Sequence, residues 1–205
     1  VSTFFSSPGA DPAADLTTGR ATDPATGRVA DPAQGRAMDL STDLSTERLV
    51  LRPWPPAEIT AVVDDGRLPH WAADFPADGD RVIAGFLAGH PAAPGAHGHR
   101  QIVERASGLV VGSIGLFWPP TDGVVEFGYG IVASRRGRGY ATEAARAVVE
   151  FALSAPEVRA VCAGVELSNP ASVRVLEKAG LRRWSSDGTT ARFRVIAADP
   201  PTRQQ

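Results

Sequence analysis

A single mixed α/β (α+β) domain is the fold class that this sequence predicts, and three observations predict it. Short alternating or apolar runs bounded by Gly, Pro and Asp mark strands, and apolar stripes at helical spacing mark helices. Their order is strand, two helices, three strands, helix, strand, helix, two strands, which is not a series of alternating βα units. The last strand pair also closes around Asp187-Gly188, a strong short-range hairpin signal.

The chain has 205 residues, 43% hydrophobic and 21% charged, which fits one domain plus a tail. Residues 1–44 read as a disordered low-complexity tail, 45–198 as the folded domain and 199–205 as a disordered C-terminus. The tail repeats every eight residues, Thr18-Gly19-Arg20-Ala21-Thr22-Asp23-Pro24-Ala25 returning as Thr26-Gly27-Arg28-Val29-Ala30-Asp31-Pro32-Ala33. Such a composition supplies too few large apolar groups to offset the entropy of ordering. The only methionine, Met38, precedes the first regular segment, so residues 1–37 also suit an over-extended start.

A net charge of −2 gives no general attraction for nucleic acid. No apolar run approaches the roughly 20 residues of a membrane span, and no signal-peptide pattern opens the sequence. A cytoplasmic location is expected, with no membrane partner. The single cysteine, Cys162, excludes an internal disulfide framework and, in an apolar run, reads as a buried inert thiol.

Taken in order, Arg48–Trp54 alternates as a strand that Pro53 and Pro55 stop. Pro56–Asp65 and Asp80–His90 carry helical stripes, and Pro91–His99 is a Pro/Gly/His loop. Arg100–Arg105, Leu109–Trp118 and Val124–Val132 follow as strands separated by turn residues. Ala141–Leu153 is the clearest helix, with Ala141, Ala145, Val148 and Ala152 along one stripe. Val158–Leu167 is a strand, Ala171–Ala179 a helix closed by Gly180, and Leu181–Ser186 with Ala191–Ile196 the final hairpin.

The segment that carries chemistry is Ser134-Arg135-Arg136-Gly137-Arg138-Gly139-Tyr140-Ala141-Thr142-Glu143, which leads from a strand straight into a helix. A glycine-rich loop there aims backbone N–H groups and the positive helix end at one point, a geometry that binds phosphate. Gly137 and Gly139 allow backbone approach where a Cβ would block it. A dinucleotide fingerprint would need a third glycine where Thr142 stands, and a nucleotide P-loop would need Gly-Lys-Ser/Thr. Arg136-Gly137-Arg138-Gly139-Tyr140-Ala141 instead matches Q/R-x-x-G-x-G/A. The preceding strand, Glu126-Phe127-Gly128-Tyr129-Gly130-Ile131, holds two interior glycines, the mark of a bulge or close backbone approach.

With Asn169-Pro170-Ala171-Ser172 and Leu176-Glu177-Lys178-Ala179-Gly180-Leu181, these blocks resemble the GNAT superfamily of N-acetyltransferases. The likeness is nearest to the branch of ribosomal-protein N-terminal (alanine) acetyltransferases. Thr46–Arg52 is similar to that branch's first strand, and between Trp54 and His99 the resemblance is weak. The family implies a mostly antiparallel twisted sheet flanked by helices and splayed at a bulge in the fourth strand, here Val124–Val132. It implies acetyl-CoA as co-substrate, no metal, and direct transfer of acetyl to a primary amine on a peptide or small molecule. By resemblance, Arg136, Gly137, Arg138, Gly139, Tyr140 and Ala141 hold the pyrophosphate. The backbone of Gly130, Ile131 and Val132 holds the pantetheine, and Asn169 lies beside it or serves only as a helix N-cap. A monomer or homodimer is expected.

Glu126 is the candidate base, an acid in mid-strand that is otherwise unfavourable unless solvated. Many members carry a tyrosine as acid four residues before the helix-ending glycine; here that position is Leu176, and the nearest hydroxyl is Ser172. That substitution keeps a second function open, a non-catalytic acyl-CoA-binding sensor or partner module. His90, His97 and His99 read as a solvated loop rather than a metal site. His70-Trp71 and Phe75 are substrate contacts or packing, and Asp64, Asp65, Asp74, Asp78 and Asp80 attract an amine or are surface.

Overall fold

In the computed structural model, residues 39, 42–91 and 98–197 are described. The expected disordered tail up to residue 38, the loop at 92–97 with His97, and the expected disordered C-terminus lie outside those residues. The strands are β1 (Leu44–Ser45), β2 (Leu49–Pro53), β3 (His99–Glu104), β4 (Leu109–Leu116), β5 (Val124–Ile131), β6 (Ala160–Glu166), β7 (Arg182–Ser186) and β8 (Thr190–Ile196). The helices are α1 (Pro56–Val63), α2 (Asp78–Gly89), α3 (Tyr140–Leu153) and α4 (Pro170–Lys178). One eight-stranded sheet runs β1-β2-β3-β4-β5-β6-β8-β7. Among its strand pairs β5–β6 alone is parallel. The expected mixed, mostly antiparallel sheet with flanking helices is therefore present.

The splay is present too. β5 pairs with β6 only from Val124 to Glu126, whereas β6 goes on along β8 to Glu166. The expected bulge is placed differently. The β4–β5 register is unbroken from Phe127 to Ile131, and the shift lies between β3 and β4, where Ile102 faces Gly112 and Val103 faces Val110. The two strands part because β5 continues along β4 while β6 turns to follow β8.

Alternation divides the sheet into two chemically distinct faces. On the face toward α3 and α4, Leu51, Ile102, Ile114, Phe127, Val161 and Phe193 are buried. Fully burying such a side chain contributes about 1.5–3 kcal/mol. α3 forms because Gly139 lets the chain turn in, and Ala144, Ala145, Val148 and Ala152 give it a buried stripe of small residues. α4 opens on Asn169, whose Oδ1 accepts from the Ser172 N–H at 3.2 Å, with Pro170 at its first position. It ends at Gly180, φ +93°, where the Leu181 N–H reaches the Leu176 carbonyl.

The face toward α1 and α2 contains buried polar groups. Glu58 accepts from Trp71 Nε1 and Gln101 Nε2, each at 2.9 Å, and from Arg52 at 2.6 Å. Burial alone would raise its pKa; these bonds and the Arg52 charge outweigh that and lower it. Asp80 in the first turn of α2 accepts from the Ala77 N–H at 2.9 Å and from Ser113 on β4. Burial pushes Asp80 up to about 6 from 3.8. The folded state then holds this proton more tightly than the unfolded chain, so ionising Asp80 weakens the fold as pH rises from about 4 to about 6. The shift is worth about 3 kcal/mol. Asp80→Asn keeps the shape without the charge and should gain stability relative to wild type across that range. Urea unfolding at both ends of it gives the measurement; identical pH responses would mean that Asp80 titrates normally.

One expectation is corrected, and one alternative is decided. His99 is not a loop residue but the buried start of β3, packed edge-on against Phe86 and Phe117. Trp71 and Phe75 are core residues, 5.2 Å apart between ring centroids, so packing accounts for them. Order also reaches back to β1, where Leu44 pairs with Leu51 and Arg100 Nη2 donates to the Thr42 carbonyl at 3.0 Å.

Candidate active site

The loop between β5 and α3 turns twice through left-handed backbone, at Gly137 (φ +76°) and Gly139 (φ +82°). The first α3 bond is the Glu143 N–H to the Gly139 carbonyl. Hence the N–H groups from Gly137 to Thr142 have no acceptor among the described residues. Of these residues Gly137, Gly139, Tyr140, Ala141 and Thr142 line a cavity of about 500 Å³ between the loop, the end of β5 and α4. Arg135, Arg136, Arg174 and Lys178 line it, and no carboxylate does. Free donors, a helix N-terminus and four cations are the chemistry that suits a phosphorylated ligand.

The loop is clamped from the β1–β2 connection. Glu143 accepts from Thr46 Oγ1 at 2.6 Å, the Arg48 N–H at 2.8 Å and Arg48 Nε at 2.7 Å, and Arg48 Nη1 donates to the Arg138 carbonyl at 2.9 Å. Arg48 also stands over the Tyr140 ring, whose hydroxyl donates to Glu104 at 2.7 Å. That bond raises the Tyr140 pKa, while Ser107 first, then Tyr140 and Arg135, lower that of Glu104. Ser134 is held by Asp74, which accepts from its N–H at 2.8 Å and its hydroxyl at 2.7 Å.

The sequence-predicted residues sort as follows. Gly130, Ile131, Arg136, Gly137, Gly139, Tyr140, Ala141, Asn169 and Ser172 all line the cavity. Val132 and Arg138 are not in its lining, and the Arg138 guanidinium lies 3.6 Å from Glu104 instead. The Val132 N–H donates to Val111 and the Phe117 N–H to Glu126, so by antiparallel alternation Gly128, Gly130 and Val132 spend their backbone groups on β4. Tyr129 and Ile131 point theirs into the gap that β6 has left, and the Ile131 carbonyl accepts from Arg136 Nε at 3.0 Å. Sequence reasoning missed Arg174 and Lys178, although their spacing of four on α4 puts both on one face.

Glu126 is half-buried on the other face of the sheet, at the last β5–β6 pair. Burial raises its pKa, with Arg192 and the Gly164 N–H opposing. Glu126 on the α1 face and the cavity wall at Tyr129–Ile131 on the α3 face therefore both adjoin the stretch of β5 that β6 leaves unpaired. Cys162, paired with Glu126 across the strands, is half-buried rather than buried. Burial and the Glu126 charge push its thiol up to about 11, so it stays protonated near neutrality. On α4, Ser172 Oγ accepts from Asn169 Nδ2 at 3.0 Å, so Asn169 is both cap and cavity wall. Leu176 is fully buried.

Residues 48–182 match the acetyltransferase (GNAT) domain family. YjdG of Bacillus subtilis (strain 168), named as an uncharacterized N-acetyltransferase, is 35% identical over 80 residues, 38% of this chain and 48% of that protein. The chain thus spans about half the length of the curated relatives it matches. A GNAT-family acetyltransferase from Bacillus anthracis superposes with a TM-score of 0.57 at 18% identity, over 76% of this chain and 99% of the other. An acetyltransferase from Agrobacterium tumefaciens str. C58 gives 0.53 at 27% identity, over 75% and 94%. The chain belongs to the GNAT acetyltransferase family.

Proposed function

We propose that this chain transfers an acetyl group from acetyl-CoA to a primary amine, the α-amine of a peptide or the amine of a small molecule. The observation that carries the reading is the gap past Glu126, with phosphate-binding donors on one side and a carboxylate on the other. The cavity fits the cofactor: the unpaired N–H groups of Gly137–Thr142 suit a diphosphate, and Arg174 and Lys178 suit further phosphate. Acetyl-CoA supplies the activated thioester when bound. The Tyr129 and Ile131 backbone groups line the slot for an amide-bearing arm and can donate to a developing oxyanion. Glu126 takes the proton released as the acceptor nitrogen bonds to the acetyl carbon. The C–S bond breaks, and Ser172, held by Asn169, donates toward the thiolate. The nearest branch proposed is that of ribosomal-protein N-terminal acetyltransferases, on the motif spacing of Glu126–Ile131, Arg136–Ala141 and Asn169–Leu181.

One observation favours a second reading, an acyl-CoA-binding module without turnover: the position four before Gly180 holds the aliphatic, buried Leu176, which offers no acid. A thiol-release assay with acetyl-CoA across peptides, polyamines and aminoglycosides separates the two. Amine-dependent release supports the enzyme; tight acetyl-CoA binding without release for any amine supports the module.

A further inference from the structure

Strand register lines up Glu126, Cys162, Arg194 and Arg182 in one row across β5, β6, β8 and β7, with Gly164 and Arg192 in the next. These residues share the face that carries Glu126. Cys162 and Gly164 are half-buried there, and Arg182, Arg192 and Arg194 are exposed. None of the three arginines has an ion-pair partner among the described residues. Arg192 is near enough to oppose the rise in the Glu126 pKa, and Arg194 stands 4.8 Å over the Trp184 ring. Trp184, Val124 and Ile196 are 51%, 41% and 59% exposed, so the face has apolar as well as cationic surface. Glu126 and Glu166 are the carboxylates of its β5 and β6 strands.

We propose that this face is the acceptor groove, and that it selects an extended peptide whose free α-amine is followed by acidic residues. The proposal rests on the acetyltransferase reading and names its acceptor. Three unpaired guanidinium groups beside the base repel a polyamine or an aminoglycoside, which carry several positive charges, and attract carboxylates. The row from β5 to β7 spans three strand spacings, about 14 Å, which is the reach of roughly four extended residues. A free amino acid is too short to use it. With the amine at Glu126, acidic side chains at the following positions lie over Arg192, Arg194 and Arg182. Gly164 on β6 adds no side chain of its own to this face, and the Glu126 carboxylate lies against it, 3.8 Å from where a Cβ would stand.

The test is kcat/KM for peptides that share a first residue and differ only in whether acidic, neutral or basic residues follow. Acidic peptides should exceed neutral ones by about tenfold, the scale of two or three exposed ion pairs. That margin should shrink at high ionic strength. The double variant Arg192→Glu/Arg194→Glu should invert the acidic-over-basic ratio, and Arg194→Lys should preserve its sign. Both positions are exposed, and an unchanged melting temperature checks the fold. Equal or better turnover of neutral or basic peptides, or a double variant that keeps the wild-type ranking, overturns the proposal. Acetyl-CoA titrations on the same samples keep the failures apart. If acetyl-CoA binds and only polyamines or aminoglycosides are acetylated, the acetyltransferase reading stands and this acceptor class is wrong. If acetyl-CoA does not bind, both fall.

Discussion

Gly139→Val is expected to remove acetyl-CoA binding while the far-UV CD spectrum stays that of a folded protein. Gly139 has φ +82° at the N-cap of α3, a conformation in which a β-branched residue is strained by about 1–3 kcal/mol. A Cβ there would already be 3.4 Å from Arg48 Nη2, and the valine methyl groups would press on the clamp between Arg48, Arg138 and Glu143. The loop relieves both by rotating, which turns its N–H groups away from the cavity. Each charge-assisted hydrogen bond to a phosphate is worth about 1.5–3 kcal/mol, so losing two lowers affinity by about 100-fold or more. The helix survives because its buried stripe is untouched. Calorimetry with acetyl-CoA reads the effect. Unchanged affinity would remove the loop from the cofactor site.

Glu126→Gln should cost about 10²–10⁴-fold in kcat/KM and leave acetyl-CoA affinity nearly unchanged, because the cavity's donors do not include this side chain. The size of the loss reports the acceptor. A peptide α-amine, with pKa about 8, is roughly one-tenth free base at pH 7, while a lysine-like amine near 10.4 is free only about one part in 2,500. The loss should therefore shrink as pH approaches the acceptor's own pKa. Burial raises the Glu126 pKa, and the base works only when ionised, so wild-type kcat/KM should rise with pH through a limb above the ordinary carboxylate range. The Gln variant should lack that limb. Ser172→Ala should cost less, since a CoA thiolate is already a fair leaving group. If both variants match wild type at every pH, the acid and base assignments are wrong.

How much of this was legible in the sequence follows from how local each signal is. Gly137 and Gly139 before an apolar helix announce left-handed turns and free N–H groups, and the loop lies as that pattern requires. Apart from the two-residue β1, helix and strand order was readable from periodicity, with ends displaced by one or two residues. The Arg48–Glu143 clamp was not readable, because it joins residues 95 apart that carry no shared pattern. Nor was the burial of Glu58 and Asp80, since isolated acids in a helix's first turn look like surface until their donors on β3 and β4 are known. Trp71 and Phe75 invited a substrate role because they sit among loop residues, yet they fill the core against Trp54. Glu126 was readable as an acid in mid-strand, whereas the parting of strands beside it was an implication of the family resemblance. Which backbone groups open into that gap depended on the β4 register, which put Tyr129 and Ile131 there in place of Gly130 and Val132.

The gap is also where both proposals meet, for the arginine row begins at the same Glu126 that ends the β5–β6 pairing. A crystal structure with bound CoA tests the central claim most directly. The diphosphate should accept from the N–H groups of Gly137–Ala141, and the thiol end should lie between β5 and β6 beyond Glu126, within reach of the Ile131 backbone. CoA bound outside the 500 Å³ cavity, or its thiol end on the side away from Glu126, would contradict the account.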